Sequence, residues 1–134
     1  MSSNATQMLV SATMVFLRGH APFDRMENDA LQYLAEHLKL VCYTKDSQIL
    51  TPEMGVVNTF YILQRGRILV RHSGEVSVVD YTTMTIGAGE GFPIGSITAQ
   101  RPSSNSYVAI DDVSCYELPV QNFFEVMQKS SAFN

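Results

Sequence analysis

A chain of 134 residues has the length of one compact domain, and 46% hydrophobic residues supply enough apolar surface for a sizeable core. Charged residues are only 16%, which excludes an intrinsically disordered chain, a coiled coil and a solvated helical array. Nine Lys and Arg against thirteen Asp and Glu leave a formal charge of −4, so no nucleic-acid footprint and no polybasic membrane patch is expected.

Taken in chain order, residues 1–12 read as a disordered N-terminus or tag remnant, with Ser3-Asn4-Ala5 as a cloning scar. There is no charged start leading into an apolar core, hence no signal peptide. No apolar run reaches the roughly 18 residues of a transmembrane helix. A single domain is expected over 13–134. Residues 14–17 and Pro22-Phe23 form a short apolar element that folds onto the core. Residues 25–39 carry the helical period, since Met26, Ala30, Leu31, Leu34, Ala35 and Leu38 share one face. Asp24 is the expected N-cap, with Glu27 three residues on as in a capping box.

After Lys39 the period changes from 3.6 to 2. Strands are predicted at 40–44, 48–51, 59–63, 67–71, 76–79, 84–86, 106–110 and 113–118. Gln64-Arg65-Gly66 and Ser73-Gly74 are the expected hairpin turns, Gly66 supplying a positive φ. Pro119 ends the last strand and opens a helix whose apolar positions are Phe123, Phe124, Val126 and Met127. The predicted fold is mainly β with flanking α-helices: a closed antiparallel sandwich or jelly roll with a helix at each end.

Little in the chain points to catalysis. His20, His37 and His72 are isolated, and Arg71-His72-Ser73 lacks the second histidine at spacing two that a barrel metal site needs. No serine sits in a nucleophile elbow, and no Gly-rich loop ends in Gly-Lys-Ser/Thr. Asp111-Asp112 reads as a polar turn between strands, because neighbours on a strand point to opposite faces. Cys42 and Cys115 form neither a ligand spacing nor a disulfide framework, and read as small buried hydrophobes in a reducing cytoplasm. No enzyme activity, metal or cofactor is expected.

The informative stretch is 86–109. Gly87, Gly89, Gly91 and Gly95 surround Phe92-Pro93, and Arg101-Pro102 follows. Such glycines either let the backbone approach a ligand or allow a tight crossover. A short helix opened by Pro93 and running to about Ala99 would present free N–H groups at its start, which attract anions.

In order and spacing these segments resemble the cyclic-nucleotide-binding domain superfamily. Phe16-Leu17, Pro22-Phe23 and a helix ending at Leu38 come first, then Gln48-Ile49-Leu50. Next come Phe60-Tyr61-Ile62-Leu63, a turn at Gly66, and Ile68-Leu69-Val70. Ile86 to Phe92 is similar to the approach to the family's phosphate-binding cassette, and 109–118 to the strand pair that follows. The resemblance implies an antiparallel jelly roll, or double-stranded β-helix, and a ligand cassette at Gly91, Phe92, Pro93, Ile94, Gly95, Arg101, Ser103, Ser104 and Asn105.

The cassette departs from that pattern where a cyclic nucleotide would be held. The family's Phe-Gly-Glu, whose carboxylate bonds the ribose 2′-hydroxyl, is matched by Phe92-Pro93-Ile94. Its Pro-Arg-x-Ala, whose arginine pairs with the phosphate, is matched by Pro102-Ser103-Ser104-Asn105. A serine hydroxyl does not replace a bidentate guanidinium. Two lost charge-assisted hydrogen bonds, at about 1.5–3 kcal/mol each, weaken binding by roughly 10²–10⁴-fold. Arg101 either swings in as a substitute anion ligand or faces solvent. Ser103, Ser104 and Asn105 either make a polar pocket for another small ligand, a nucleotide or anion, or cap the crossover loop.

The variant Gly-Phe-Pro-Ile-Gly with Arg-Pro-x-x-Asn-x-Tyr is similar to a bacterial subgroup in which the domain precedes a CBS pair and a nucleotidyltransferase-like region. That implies a sensor excised from a longer chain, with those downstream domains as partners. A ligand-free interaction module, a homodimer or a docking partner, is the alternative, with Phe123, Phe124 and Met127 either forming its contact face or packing in the core.

Overall fold

The computed structural model describes residues 4–72 and 84–133. The expected turn at Ser73-Gly74 and strand at 76–79 lie outside the described residues. Helix α1 (Asn4–Arg18) is followed by a 3₁₀ turn (Phe23–Arg25) and α2 (Asn28–His37). Strands β1 (Lys39–Tyr43), β2 (Gln48–Leu50), β3 (Thr59–Arg65), β4 (Ile68–His72), β5 (Met84–Ile86) and β6 (Gly91–Phe92) come next. Then follow α3 (Ile94–Thr98), β7 (Asn105–Ala109), β8 (Val113–Pro119) and α4 (Val120–Lys129).

The strands make two antiparallel sheets, ordered β1-β8-β3-β6 and β2-β7-β4-β5. Both keep open edges, so among the described residues there is no closed barrel, which corrects the expected closure. The two sheets face one another with helices outside the first. Gly66 does take a positive φ, +94°, but its turn is no hairpin, because β3 pairs with β8 and β6 while β4 pairs with β7 and β5. The chain turns a corner from one sheet into the other. A second corner, at Asp111-Asp112, runs beside the first: the Ile110 N–H donates to the Arg67 carbonyl at 2.9 Å. The link between β1 and β2 lies alongside as well, Asp46 N–H donating to Ala109 O at 2.8 Å and Ala109 N–H to Ser47 O at 2.9 Å. Three bent ribbons, β1–β2, β8–β7 and β3–β4, thus pair along their length and fold over together, the architecture of a jelly roll.

Burial follows from this layering. On β3, Phe60 to Leu63 are all buried, because the first sheet is covered on both faces. Phe60 meets Phe123 of α4 with ring centroids 4.6 Å apart, and Tyr116 of β8 meets Phe16 of α1 at 5.6 Å, which marks the helix side. Tyr61 and Leu63 point between the sheets. Phe123 is 1% exposed and belongs to the core, the packing alternative for this residue.

Two helix starts differ from expectation. Residues from Asn4 onward are helical, not disordered, because Val10, Thr13, Met14 and Leu17 recur at three- and four-residue spacing and lie against α2. The second helix begins at Asn28, not at 25, and Asp24 is no cap. The Arg18 guanidinium donates to the Met26 carbonyl at 2.8 Å, Met26 stays extended, and Glu27 becomes the N-cap position without a side-chain bond to the helix. The Glu27 carboxylate instead accepts from Ser130 Oγ at 3.0 Å, tying the start of α2 to the end of α4. No helix of the described residues is long and apolar enough to cross a membrane.

Candidate functional site

Most of the glycine-rich approach is explained by packing. Gly89 has φ +89°, and a Cβ there would lie 2.2 Å from the His20 ring. Gly91 lies against Phe60, whose ring would be 2.4 Å from an added Cβ. The Gly87 N–H donates to the Glu90 carboxylate at 2.8 Å, so Glu90 closes its own turn. Gly89 N–H and Glu90 O bond the Leu63 carbonyl and N–H, at 2.7 and 3.0 Å, which docks the turn onto β3. Gly95 is different: an added Cβ would meet nothing within 4 Å.

The sequence hid β6 among the glycines. It pairs with β3, Phe92 opposite Tyr61, and there the Phe92 ring stacks between two tyrosines. Tyr61 is 5.1 Å away at 9°, and Tyr107, from the other sheet, 4.7 Å away at 20°. Three rings therefore span the space between the sheets below the cassette. Pro93 is the N-cap residue of α3, a helix shorter by one residue at each end than expected. Ile94 and Gly95 are exposed, and Pro93 and Ser96 are buried. First-turn N–H groups have no acceptor within their own helix.

The fold does bring the second half of the cassette beside the first, since Arg101 N–H donates to Ser96 O at 3.1 Å and Arg101 O accepts from Val57 N–H at 3.3 Å. The Arg101 side chain is exposed and has no partner among the described residues. Ser103 is 3% exposed; its hydroxyl donates to Asn105 O at 2.7 Å and accepts from Asn105 N–H at 3.2 Å. That closed turn lies at the start of β7. Ser104 is exposed and Asn105 half-buried. A groove of about 500 Å³ between Gln100, Phe124, Met127 and Gln128 joins the end of α3 to α4.

One inward carboxylate escaped the sequence reading. Lys39, Glu117, Tyr61 and Phe92 form one row across the first sheet, and the Tyr43 hydroxyl donates to Glu117. Its signal was the position of Glu117 in phase with Val113 and Cys115, both buried. Burial first, and the Glu117 charge second, push the Tyr61 phenol up to about 12. Burial, a hydrogen bond to Glu117 and its charge raise Tyr43 further, and burial with Glu117 pushes the Cys115 thiol up to about 12. In the unfolded chain these groups lose protons near pH 10 for the phenols and 9 for the thiol. Between there and pH 12 the unfolded state binds fewer protons than the fold, so stability falls as pH rises. Denaturant midpoints should drop steadily above pH 9, with phenolate absorbance at 295 nm lagging for Tyr61; a flat midpoint to pH 11 would contradict the assignment.

The remaining candidates are structural. Arg67 pairs with Asp111 through two bonds, at 2.9 and 3.0 Å, and Asp112 accepts from Lys45 N–H at 2.8 Å, so the acidic pair is a corner fastening. Hydrogen bonding to Arg67 holds the Asp111 carboxyl below the usual carboxylate range. His20 stacks on Phe16 at 4.6 Å, and His37 Nδ1 lies 2.7 Å from the Tyr33 carbonyl. No three His, Cys, Asp or Glu among the described residues converge to hold a metal. Cys42 corrects its expectation: on the edge strand β1 it is exposed, 3.7 Å from Ser114 Oγ, whereas Cys115 is buried. One thiol per chain should therefore react with a disulfide dye in the native state and two in denaturant. Two fast thiols in the native state would contradict this.

The solved structures that match share the fold. The regulatory domain of Toxoplasma gondii PKA with cAMP superposes with a TM-score of 0.81 at 18% identity, covering 92% of this chain and 47% of that one. The chain thus spans about half the length of that relative. The sensor domain of the transcriptional regulator DNR from Pseudomonas aeruginosa gives 0.70 at 14%, covering 89% and 83%. The regulatory subunit of a cAMP-independent protein kinase A from Trypanosoma cruzi, bound to guanosine, gives 0.77 at 14%, covering 94% and 44%. No curated protein matches the sequence. The profile described as "Cyclic nucleotide-binding domain" matches residues 41–130, well over half of the chain. With two facing antiparallel sheets, flanking helices and a cassette between β6 and β7, the chain belongs to the cyclic nucleotide-binding domain family.

Proposed function

We propose that this is a regulatory ligand-sensing domain whose cassette binds cAMP and cGMP weakly or not at all. One observation carries the reading: the two positions that matter for a cyclic nucleotide hold Ile94, exposed and apolar, and Ser103, whose hydroxyl is committed to Asn105. Neither supplies a carboxylate for a ribose hydroxyl or a guanidinium for a phosphate. A different small ligand, a nucleotide, nucleoside or anion, is supported by the open backbone at Gly95 and by the exposed Arg101, which has no side-chain partner among the described residues. The guanosine-bound relative from Trypanosoma cruzi, a subunit of a cAMP-independent kinase, agrees with a nucleoside held without a cyclic phosphate. Occupancy at α3 would reach α4 through the groove at Gln100, Phe124 and Met127, biasing domains that follow, a CBS pair and a nucleotidyltransferase-like region among them.

Thermal-shift and calorimetric titration against cAMP, cGMP, c-di-GMP, AMP, ATP and guanosine tests this, since any ligand of the fold stabilises it by RT ln(1+[L]/Kd). Cyclic nucleotides should produce no shift at micromolar concentration. Submicromolar cAMP binding would overturn the reading of Ile94 and Ser103. A flat response to the whole set would favour an interaction module without a ligand.

A further inference from the structure

We propose that the outward face of α1 is a self-association surface, on which a second copy of this chain lays its own α1 antiparallel. The helix has two apolar stripes. One, with Val10, Thr13 and Leu17, lies against α2 and the core. The other, on the opposite face, consists of Met8, Leu9, Ala12 and Val15; Met8, Leu9 and Val15 are 71%, 69% and 75% exposed. Three large apolar side chains on one arc of an otherwise folded surface are what a contact site presents. Spacings of four and three residues from Met8 through Ala12 to Val15 are those of a helix-pairing seam.

Charge selects the occupant. No residue of α1 before Arg18 is ionisable, while the whole chain carries a formal charge of −4. Two like-charged copies therefore meet with least repulsion through this face. Arg18 itself is turned back onto the Met26 carbonyl at 2.8 Å. A helix that lies on a lipid surface carries Lys and Arg along its polar side, and α1 has none there. The stripe is also self-complementary. A two-fold axis at Ala12 sets Leu9 of one copy against Val15 of the other, with the small alanines at the closest approach. Antiparallel helices also bring opposite dipole ends together.

The size of the contact sets its strength. A 15-residue helix is about 22 Å long, so a pair of them buries less than the ~1,200 Å² of a standard interface. The dimer is accordingly reversible, with Kd on the order of 10–100 µM.

Sedimentation equilibrium of the full chain from about 5 to 500 µM should show a monomer–dimer equilibrium in that range. Val15→Glu should weaken it at least tenfold with the circular dichroism spectrum and melting temperature unchanged, whereas Gln7→Glu, on the flank toward α2, should leave it intact. As a readout that does not depend on charge, Ala12→Cys in a Cys42→Ser background should form a disulfide-linked dimer on mild oxidation, and Gln7→Cys should not. A chain that stays monomeric at 500 µM, a dimer indifferent to Val15→Glu, or equal cross-linking at both positions would each overturn the proposal. Loss of monomer only to added phosphatidylcholine vesicles would assign the face to lipid instead and overturn it too.

Discussion

Phe92→Ala should lower the unfolding free energy by about 3–5 kcal/mol, the cost of emptying a ring-sized space in a packed core. Phe92 is 3% exposed and lies between Tyr61 and Tyr107, which come from different sheets. Its removal leaves neither tyrosine a stacking partner and opens a void that β6, only two residues long, is too short to close by moving. For a domain of this size the loss corresponds to a fall in melting temperature of roughly 10–15 °C. Phe92→Leu, which keeps most of the volume, should cost well under half as much. Urea denaturation of the three proteins checks the ordering, and a Phe92→Ala loss below 1 kcal/mol would mean that the stack holds nothing together. The same ring bears on recognition, because it occupies the interior just beneath α3. A ligand at the cassette therefore sits above an occupied core and rests on backbone and loop groups.

Gly66→Ala is the second large effect, about 2–5 kcal/mol. At φ +94° an L-residue is strained by roughly 1–2 kcal/mol, and crowding adds about 1–3. The added Cβ would lie 2.8 Å from the Asp112 carbonyl oxygen and 2.6 Å from Val113 Cγ1. The first contact is to backbone in the neighbouring corner, which a rotamer change does not relieve. Gly95→Ala is the matching control. Nothing lies within 4 Å of its Cβ, and alanine in a helix is favoured over glycine by about 0.5–1 kcal/mol, so the variant should melt at or above the parent temperature. Equal losses at both positions would show that close approach between the corners is not what requires Gly66.

The comparison of these glycines shows what the sequence could and could not convey. Period and turn chemistry revealed seven of the eight described strands, the last helix and the positive φ at Gly66, because those are properties of neighbouring residues. Whether Gly66 closed a hairpin or a corner depended on β8, nearly fifty residues away, and local turn chemistry is the same in both. The dense glycines at 87–91 left a ligand approach and a tight crossover both open, and nothing in the local sequence signalled that a Cβ at Gly89 or Gly91 would meet His20 or Phe60, partners far back in the chain. Helix α1 was missed for a related reason: small and polar residues hid a stripe that only contact with α2 makes structural. Ile94 and Ser103 were singled out through the family resemblance alone. That Ser103 turns its hydroxyl onto Asn105 was not legible, since the direction of a hydroxyl has no sequence signal.

The pairing of the bent ribbons also governs when the molecule can form. Strand β8 lies between β1 and β3, and β7 between β2 and β4, so both sheets are completed by the last two strands made. Among the described strands, a nascent chain that ends before Asn105 can join only β3 with β6 and β4 with β5. Strands β1 and β2, produced early, wait for partners more than fifty residues downstream. Such pairing is slow, because the entropy of closing long loops comes before the contacts that offset it. During synthesis β2 stays unpaired until β7 has left the ribosome and β1 until β8 has, which makes that interval the one in which this domain is most open to aggregation.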